Sequence, residues 1–221
     1  MVETFMEKYS VWLTTILAAG AAVLLAATWE TIPMTQKLPA MYMVALAVHE
    51  WEELKYPGGF VELAVNMTGV EIKNLGLAKL GLFAFTLWAT VIPFIGHRVG
   101  WLVASTVLLG YIEALAHLAA ARVSPGRFYS PGLVTALLVQ LPVTVYGTWY
   151  LASNGLVVGV EWLWAFLFLV VPLFGTQAAI VKSNGQSYPE FVRNARRAVF
   201  TKEGRKETRR KQREQQEKQE G

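Results

Sequence analysis

The sequence predicts an all-α fold: a polytopic membrane helix bundle of about six transmembrane helices, with N- and C-termini both cytoplasmic. Three observations carry that prediction. Apolar residues make up 54% of the 221 positions and charged residues only 16%, far from the balance of a soluble domain. Twelve of the 20 Lys and Arg fall in the last 40 residues, which leaves eight for the first 181. Six apolar runs approach the roughly 20 residues that a helix needs to cross hydrocarbon. These runs are continuous rather than alternating, and too few to close a barrel, so strands are a poor alternative. The chain divides into a transmembrane domain over 1–182 and a basic tail over 183–221.

The first run, about Val11–Trp29, follows Glu3, Glu7 and Lys8 rather than a basic leader, so it is expected to stay in the mature chain. The second, about Leu38–Leu54, is short and breaks at Pro57-Gly58-Gly59. The third and fourth run over about Leu77–Ile95 and Trp101–Ala121. The fifth, Pro131–Leu151, opens with Ser130 as N-cap and Pro131 at the first helical position. The sixth is Trp162–Val181, and Pro142 and Pro172 read as kinks. Basic residues set the orientation. Lys55, Lys73 and Lys79 lie on one internal loop and Arg122 and Arg127 on another, against Lys37 and Arg98 outside. Trp29, Trp101, Trp149 and Trp162 fall at the outer ends, where indole suits the interface. The expectation is an integral protein of a bacterial or archaeal cell (inner) membrane.

In the tail, Ser187 and Glu190 stand in capping-box register. Phe191, Val192, Ala195, Val199 and Phe200 gather on one side of the helix that follows, with Arg193, Arg196 and Arg197 around the rest. Such a basic amphipathic helix suits membrane lipids of an anionic leaflet. No aromatic residue interleaves the later basic run, so nucleic acid is not expected as a partner. Beyond Gly204 the chain is solvated helix or disorder.

Cysteine is absent, which removes thiolate metal sites and thiol nucleophiles. The chemistry lies in "VALAVHEWEELKYPGG", residues 44–59, and "LLGYIEALAHLAAARV", residues 108–123. Positions three and four apart share a helix face, so His49, Glu52 and Glu53 lie together while Glu50 and Trp51 point away. Glu113 and His117 form a second such pair. At about 1.5 Å per residue, His49 and Glu113 reach similar depth, and Glu52, Glu53 and His117 come a turn deeper. An ionised carboxylate in hydrocarbon costs at least about 2.5–3.5 kcal/mol. A metal ion removes that cost by favouring carboxylate and neutral imidazole. Two His and three Glu without thiolate suit a divalent transition metal, Zn, Fe or Mn, in a mono- or dinuclear centre. His49, Glu53, Glu113 and His117 would hold it. Glu52 would bridge a second metal or serve as general base. The bland readings stay open: a solvated helix end for the first group, and a plain i,i+4 hydrogen bond for the second.

The start of the fifth span, "RVSPGRFYSPGLVTALL", offers free amides and a positive dipole end beside Arg122, Arg127 and Ser130. That set can attract a lipid headgroup or another anion, or simply cap a helix. Tyr129 on the same loop is a candidate proton donor in catalysis. His97 is expected to lie about 30 Å from His117 along a straight helix and to be no ligand.

With these residues in view, the chain resembles the HXXEE-motif integral membrane proteins, a group without an established activity. The resemblance rests on His49-x-x-Glu52-Glu53, the later Glu113 and His117, and Tyr129-Ser130-Pro131-Gly132 followed by Thr135-Ala136. It covers roughly residues 10–180. The expected function is a metal-dependent enzyme, a hydrolase or a di-metal oxidase, acting from the cytoplasmic side on a lipid or other lipophilic small-molecule substrate. The alternatives are a proton or divalent-cation transporter, or a membrane scaffold.

Overall fold

The computed structural model describes residues 2–124 and 128–220, and among these there is no strand. Nine helices follow in order. They are α1 Val2–Thr28, α2 Met34–Leu54, α3 Phe60–Thr68, α4 Leu75–Ile95, α5 Gly100–Ala121, α6 Leu133–Ser153, α7 Glu161–Ser183, α8 Tyr188–Phe200 and α9 Lys202–Glu220.

Five of them, α1, α4, α5, α6 and α7, are long and apolar enough to cross a membrane. The expected count of six is not reached on that basis. The second segment is a helix of 21 residues, but Lys37, His49, Glu50, Glu52 and Glu53 make it too polar to join them. Large apolar side chains point outward on the other helices, among them Val23 on α1, Leu115 on α5 and Val171 on α7. A surface of that kind calls for an apolar phase rather than water.

The helices group around a central pair, α2 and α5. Helices α1 and α4 pack on α2, α6 and α7 pack on α5, and the pair touch each other. One core joins Leu38 with Val103, Val107, Leu151 and Ala165. The next joins Tyr42 and Leu46 with Phe85, Leu109 and Leu169. Small residues allow the close approaches. A Cβ on Gly110 of α5 would stand 2.0 Å from Thr144 Oγ1 of α6, and one on Gly147 would stand 2.6 Å from Val107. Between α1 and α2, the Trp51 indole donates to Thr15 Oγ1 at 2.8 Å.

Two features differ from the sequence expectation. Helix α6 starts at Leu133 rather than Pro131, because Gly132 takes a left-handed φ of 92°. Its residues Ala136–Gln140 then form a π-helical turn, with Leu141 N–H donating to Ala136 O. The cause is Pro142, which has no N–H to donate and whose ring crowds the carbonyl four residues back, so the ladder widens before it.

The tail is docked. Ala198 and Val199 of α8 are buried against Leu63 of α3 and against Ala120 and Val123 at the end of α5. Asn194 Nδ2 donates to Thr68 O at 2.9 Å, and the Arg209 guanidinium of α9 donates to Arg122 O. Phe200 and Val192 of α8 remain exposed beside Arg193 and Arg196.

Candidate metal centre

The centre forms where α2 and α5 face each other. His49 and Glu53 are one turn apart on α2, and Glu113 and His117 one turn apart on α5, so each helix offers one imidazole and one carboxylate. His117 Nε2 lies 3.0 Å from Glu53 Oε1 and 3.7 Å from Glu113 Oε2. His49 Nε2 lies 3.5 Å from Glu53 Oε1 and 3.8 Å from Glu113 Oε2. The rings stand edge to face with centroids 4.8 Å apart. One ligand atom each from His49, Glu53 and His117 fall within 4.8 Å of one another, the span of a single metal shell. Both imidazoles are buried, and the side chains of Glu53 and Glu113 keep 15% and 24% of their surface, so both carboxylates border open space.

The tautomers follow from the neighbours. Thr135 Oγ1 donates to Glu52 Oε2 at 2.6 Å, and it stands 3.0 Å from His49 Nδ1. With its one proton committed to the carboxylate, the hydroxyl accepts from His49 Nδ1–H. Ser130 Oγ donates to His117 O at 2.9 Å and stands 3.4 Å from His117 Nδ1, which places the proton of that ring on Nδ1 in the same way. In the neutral ring, each Nε2 then carries a lone pair turned toward the carboxylates. Both Nε2 atoms are buried, and despite their short distances to carboxylate oxygens neither makes a hydrogen bond of acceptable angle among the described residues. Two lone pairs converging on two carboxylates repel unless a cation or a proton lies between them. The donor set fits a divalent transition metal.

Glu52 has other neighbours than those expected of a bridging ligand or general base. Its Oε1 accepts from the Tyr129 hydroxyl at 2.9 Å and from Val134 N–H at 3.2 Å. Its Oε2 accepts from Thr135 N–H at 2.7 Å and from the Thr135 hydroxyl. The N-terminus of α6 does attract an anion, and that anion is the chain's own. Burial and the Glu52 carboxylate push the Tyr129 phenol above its ordinary range, so Tyr129 stays a donor to Glu52. Ser130, expected to cap α6 or border an anion site, is buried against His117 instead. Arg122 ends α5 and borders a surface cleft with Arg205 and Arg209 of α9. Arg127 lies outside the described residues. His97 sits in the turn between α4 and α5, at the far end of α5 from His117.

Sequence reasoning gave no site role to Thr135 and Gly132. A Cβ on Gly132 would stand 2.5 Å from His117 Cε1 and 2.8 Å from both His49 Cε1 and Glu53 Cγ. Its positive φ and this closeness together require glycine. Phe60, opening α3, covers the other side of His117 with ring centroids 5.1 Å apart.

Beside the centre lies a cavity of about 250 Å³, with His49, Glu50, Glu53 and Glu113 at its polar end and mostly apolar side chains elsewhere. The fold and this centre together describe a helical bundle with membrane-length apolar helices and a buried His/Glu cluster. Residues 40–147 match the profile of a family described as protein of unknown function with HXXEE motif, and the likeness is to that segment. No curated protein and no solved structure matches the chain.

Proposed function

We propose that this chain is an integral membrane metalloprotein that uses one divalent transition metal in a hydrolytic reaction on a membrane-dissolved substrate. The observation that carries this reading is the convergence of two buried Nε2 atoms, neither making a hydrogen bond among the described residues, on Glu53 and Glu113. Two imidazoles and one carboxylate, from His49, His117 and Glu53, are the ligand set of several catalytic zinc sites, which keep one position open. Zinc in such a site brings the pKa of bound water down to about 7 and polarises a carbonyl or phosphoryl oxygen. Glu113, farther from both imidazoles and more exposed, is suited to be the fourth ligand or the general base. Glu52 holds the start of α6 and, through Thr135, the His49 tautomer. With Glu52 so engaged, the carboxylate count favours one metal over a dinuclear oxidase centre.

A second reading, passage of protons or a divalent cation, draws on Tyr42, Gln140 and Thr144. Their polar side-chain atoms are buried without partners among the described residues, one to two turns beyond the centre along α2 and α6.

Purified protein is expected to carry about one zinc, iron or manganese per chain by elemental analysis. His49→Ala and His117→Ala should each lose most of it, and His97→Ala should lose none. Full metal content in both of the first two variants would overturn the centre. Metal or proton flux in liposomes carrying the wild-type protein would favour the transport reading over hydrolysis.

A further inference from the structure

The cavity beside the centre has a second carboxylate that the proposed metal chemistry does not use. Glu50 points away from the His49–Glu53 face of α2 yet lines the same cavity. Thr86 Oγ1 of α4 donates to its Oε1 at 3.3 Å, and the charged groups acting on it most strongly are Glu53 and His49, not a Lys or Arg. Lys79 also borders the cavity, but its Nζ donates to Glu7 O at 2.7 Å, and the charges it meets are Lys55 and Glu7. The Ser10 hydroxyl of α1 borders the cavity too, buried and without a hydrogen-bond partner among the described residues.

The rest of the cavity is greasy. Leu46, Phe60, Phe83, Phe85 and Leu109 form its walls. It adjoins a second cavity of about 180 Å³ between α3, α4 and α7, and Ala64, Ile72, Leu82, Phe85 and Ile180 border both. Leu82 is 48% exposed, which puts an opening on the outward apolar face of α4. An apolar passage with side access and an acidic inner end selects its ligand by charge. A divalent metal would balance Glu53 and Glu113 and leave Glu50 over. In its ionised form that carboxylate only accepts, so it favours a donor or a cation and repels an anion.

We propose that this cavity binds a lipophilic molecule whose polar end is an amine or alcohol, held by Glu50 beside the metal centre with its chain between α3, α4 and α7. The assignment of metal to the centre rests on the reading above; the acidity of the pocket does not. The test is the thermal-unfolding midpoint of the full chain in a neutral detergent, titrated with dodecylamine, dodecanol or dodecanoate. The amine and the alcohol should each raise the midpoint, the amine at about tenfold lower concentration than the acid. Glu50→Gln should abolish the advantage of the amine over the acid. Leu82→Trp, at the opening, should weaken all three ligands and keep their order. Dodecanoate acting as well as dodecylamine, or an unchanged order in Glu50→Gln, would overturn the proposal.

The same titration on His117→Ala separates the two ideas. There the order should persist and sharpen, because Glu53 and Glu113 are no longer balanced. Metal present with no order among the ligands sinks this inference alone. The order without any metal in the wild type sinks the metal reading alone.

Discussion

His49 and Thr135 lie 86 positions apart in the chain, yet one hydrogen bond between them sets which imidazole nitrogen faces the centre. The hydroxyl relays the negative charge of Glu52 to the ring, as a carboxylate does behind many ligating histidines. Thr135→Val keeps the shape and removes the relay, so metal affinity should fall about 10–100-fold. Thr135→Ser should restore most of it, as measured by competition with a chelating dye. Gly132 acts by its lack of a side chain. Gly132→Ala brings a methyl to within 2.5 Å of His117 Cε1 and 2.8 Å of His49 Cε1 at a φ of 92°. Strain of this kind costs on the order of 1–3 kcal/mol. The variant should lose metal by elemental analysis and melt earlier, although no ligand has changed. Wild-type metal content there would mean that the loop before α6 can move away from the centre.

At the scale of elements, α5 and α6 meet through Gly110, and the site depends on that contact holding the two helices in register. Gly110→Ala drives a Cβ to 2.0 Å from Thr144 Oγ1 and 3.1 Å from Thr144 Cβ. Overpacking of this size costs about 1–3 kcal/mol, read as a lower unfolding midpoint. Adding Thr144→Ala removes the worse contact and should return part of the loss; no return would mean that the clash is taken up elsewhere. The π turn adds a rotation. Five residues of α-helix would carry Gln140 about 140° from Thr135, whereas a π turn returns it near the same face. Pro142 thus lines Thr135, Gln140 and Thr144 along one inner stripe, an alignment that the ordinary α period does not foresee.

At the scale of the molecule, the tail is part of the packed structure as well as a basic surface. Ala198 and Val199 cover Leu63, Ala120 and Val123, and α3, which they brace, carries Phe60 against His117. Within α9, Lys211 pairs with Glu207 at 3.2 Å and Arg210 with Glu214 at 3.6 Å, helix-spaced pairs that support the helix only slightly because they are exposed. Ending the chain after Gly185, which keeps the Asn184 side chain that accepts from Lys73 N–H, should lower the unfolding midpoint by the loss of about 2 kcal/mol of apolar burial. Metal content should remain, since all four proposed ligands sit on α2 and α5. Loss of metal in the shortened chain would make α8 and α9 a cover over the centre.

Several of these features are local and were open to reading in the chain itself. Apolar runs of membrane length, the pairing of His49 with Glu53 and of Glu113 with His117, and the break at Pro57-Gly58-Gly59 depend on spacing within one helix. The 3.6-residue period makes such spacing legible. The fates of Glu52 and Glu53 were not legible, because neighbours on one helix differ by only 100° of rotation. The amides of Val134 and Thr135, more than 80 residues away, claim the first and leave the second to the histidines. The same holds for Gly132 against two imidazoles, for Glu50 in the cavity wall, and for the seat of α8 on α3. Each is a contact between elements distant in sequence, fixed only when their packing sets which face of each helix turns inward. The sequence alone determined the helical, apolar class and which side chains could meet a metal; tertiary packing decided which of them converge.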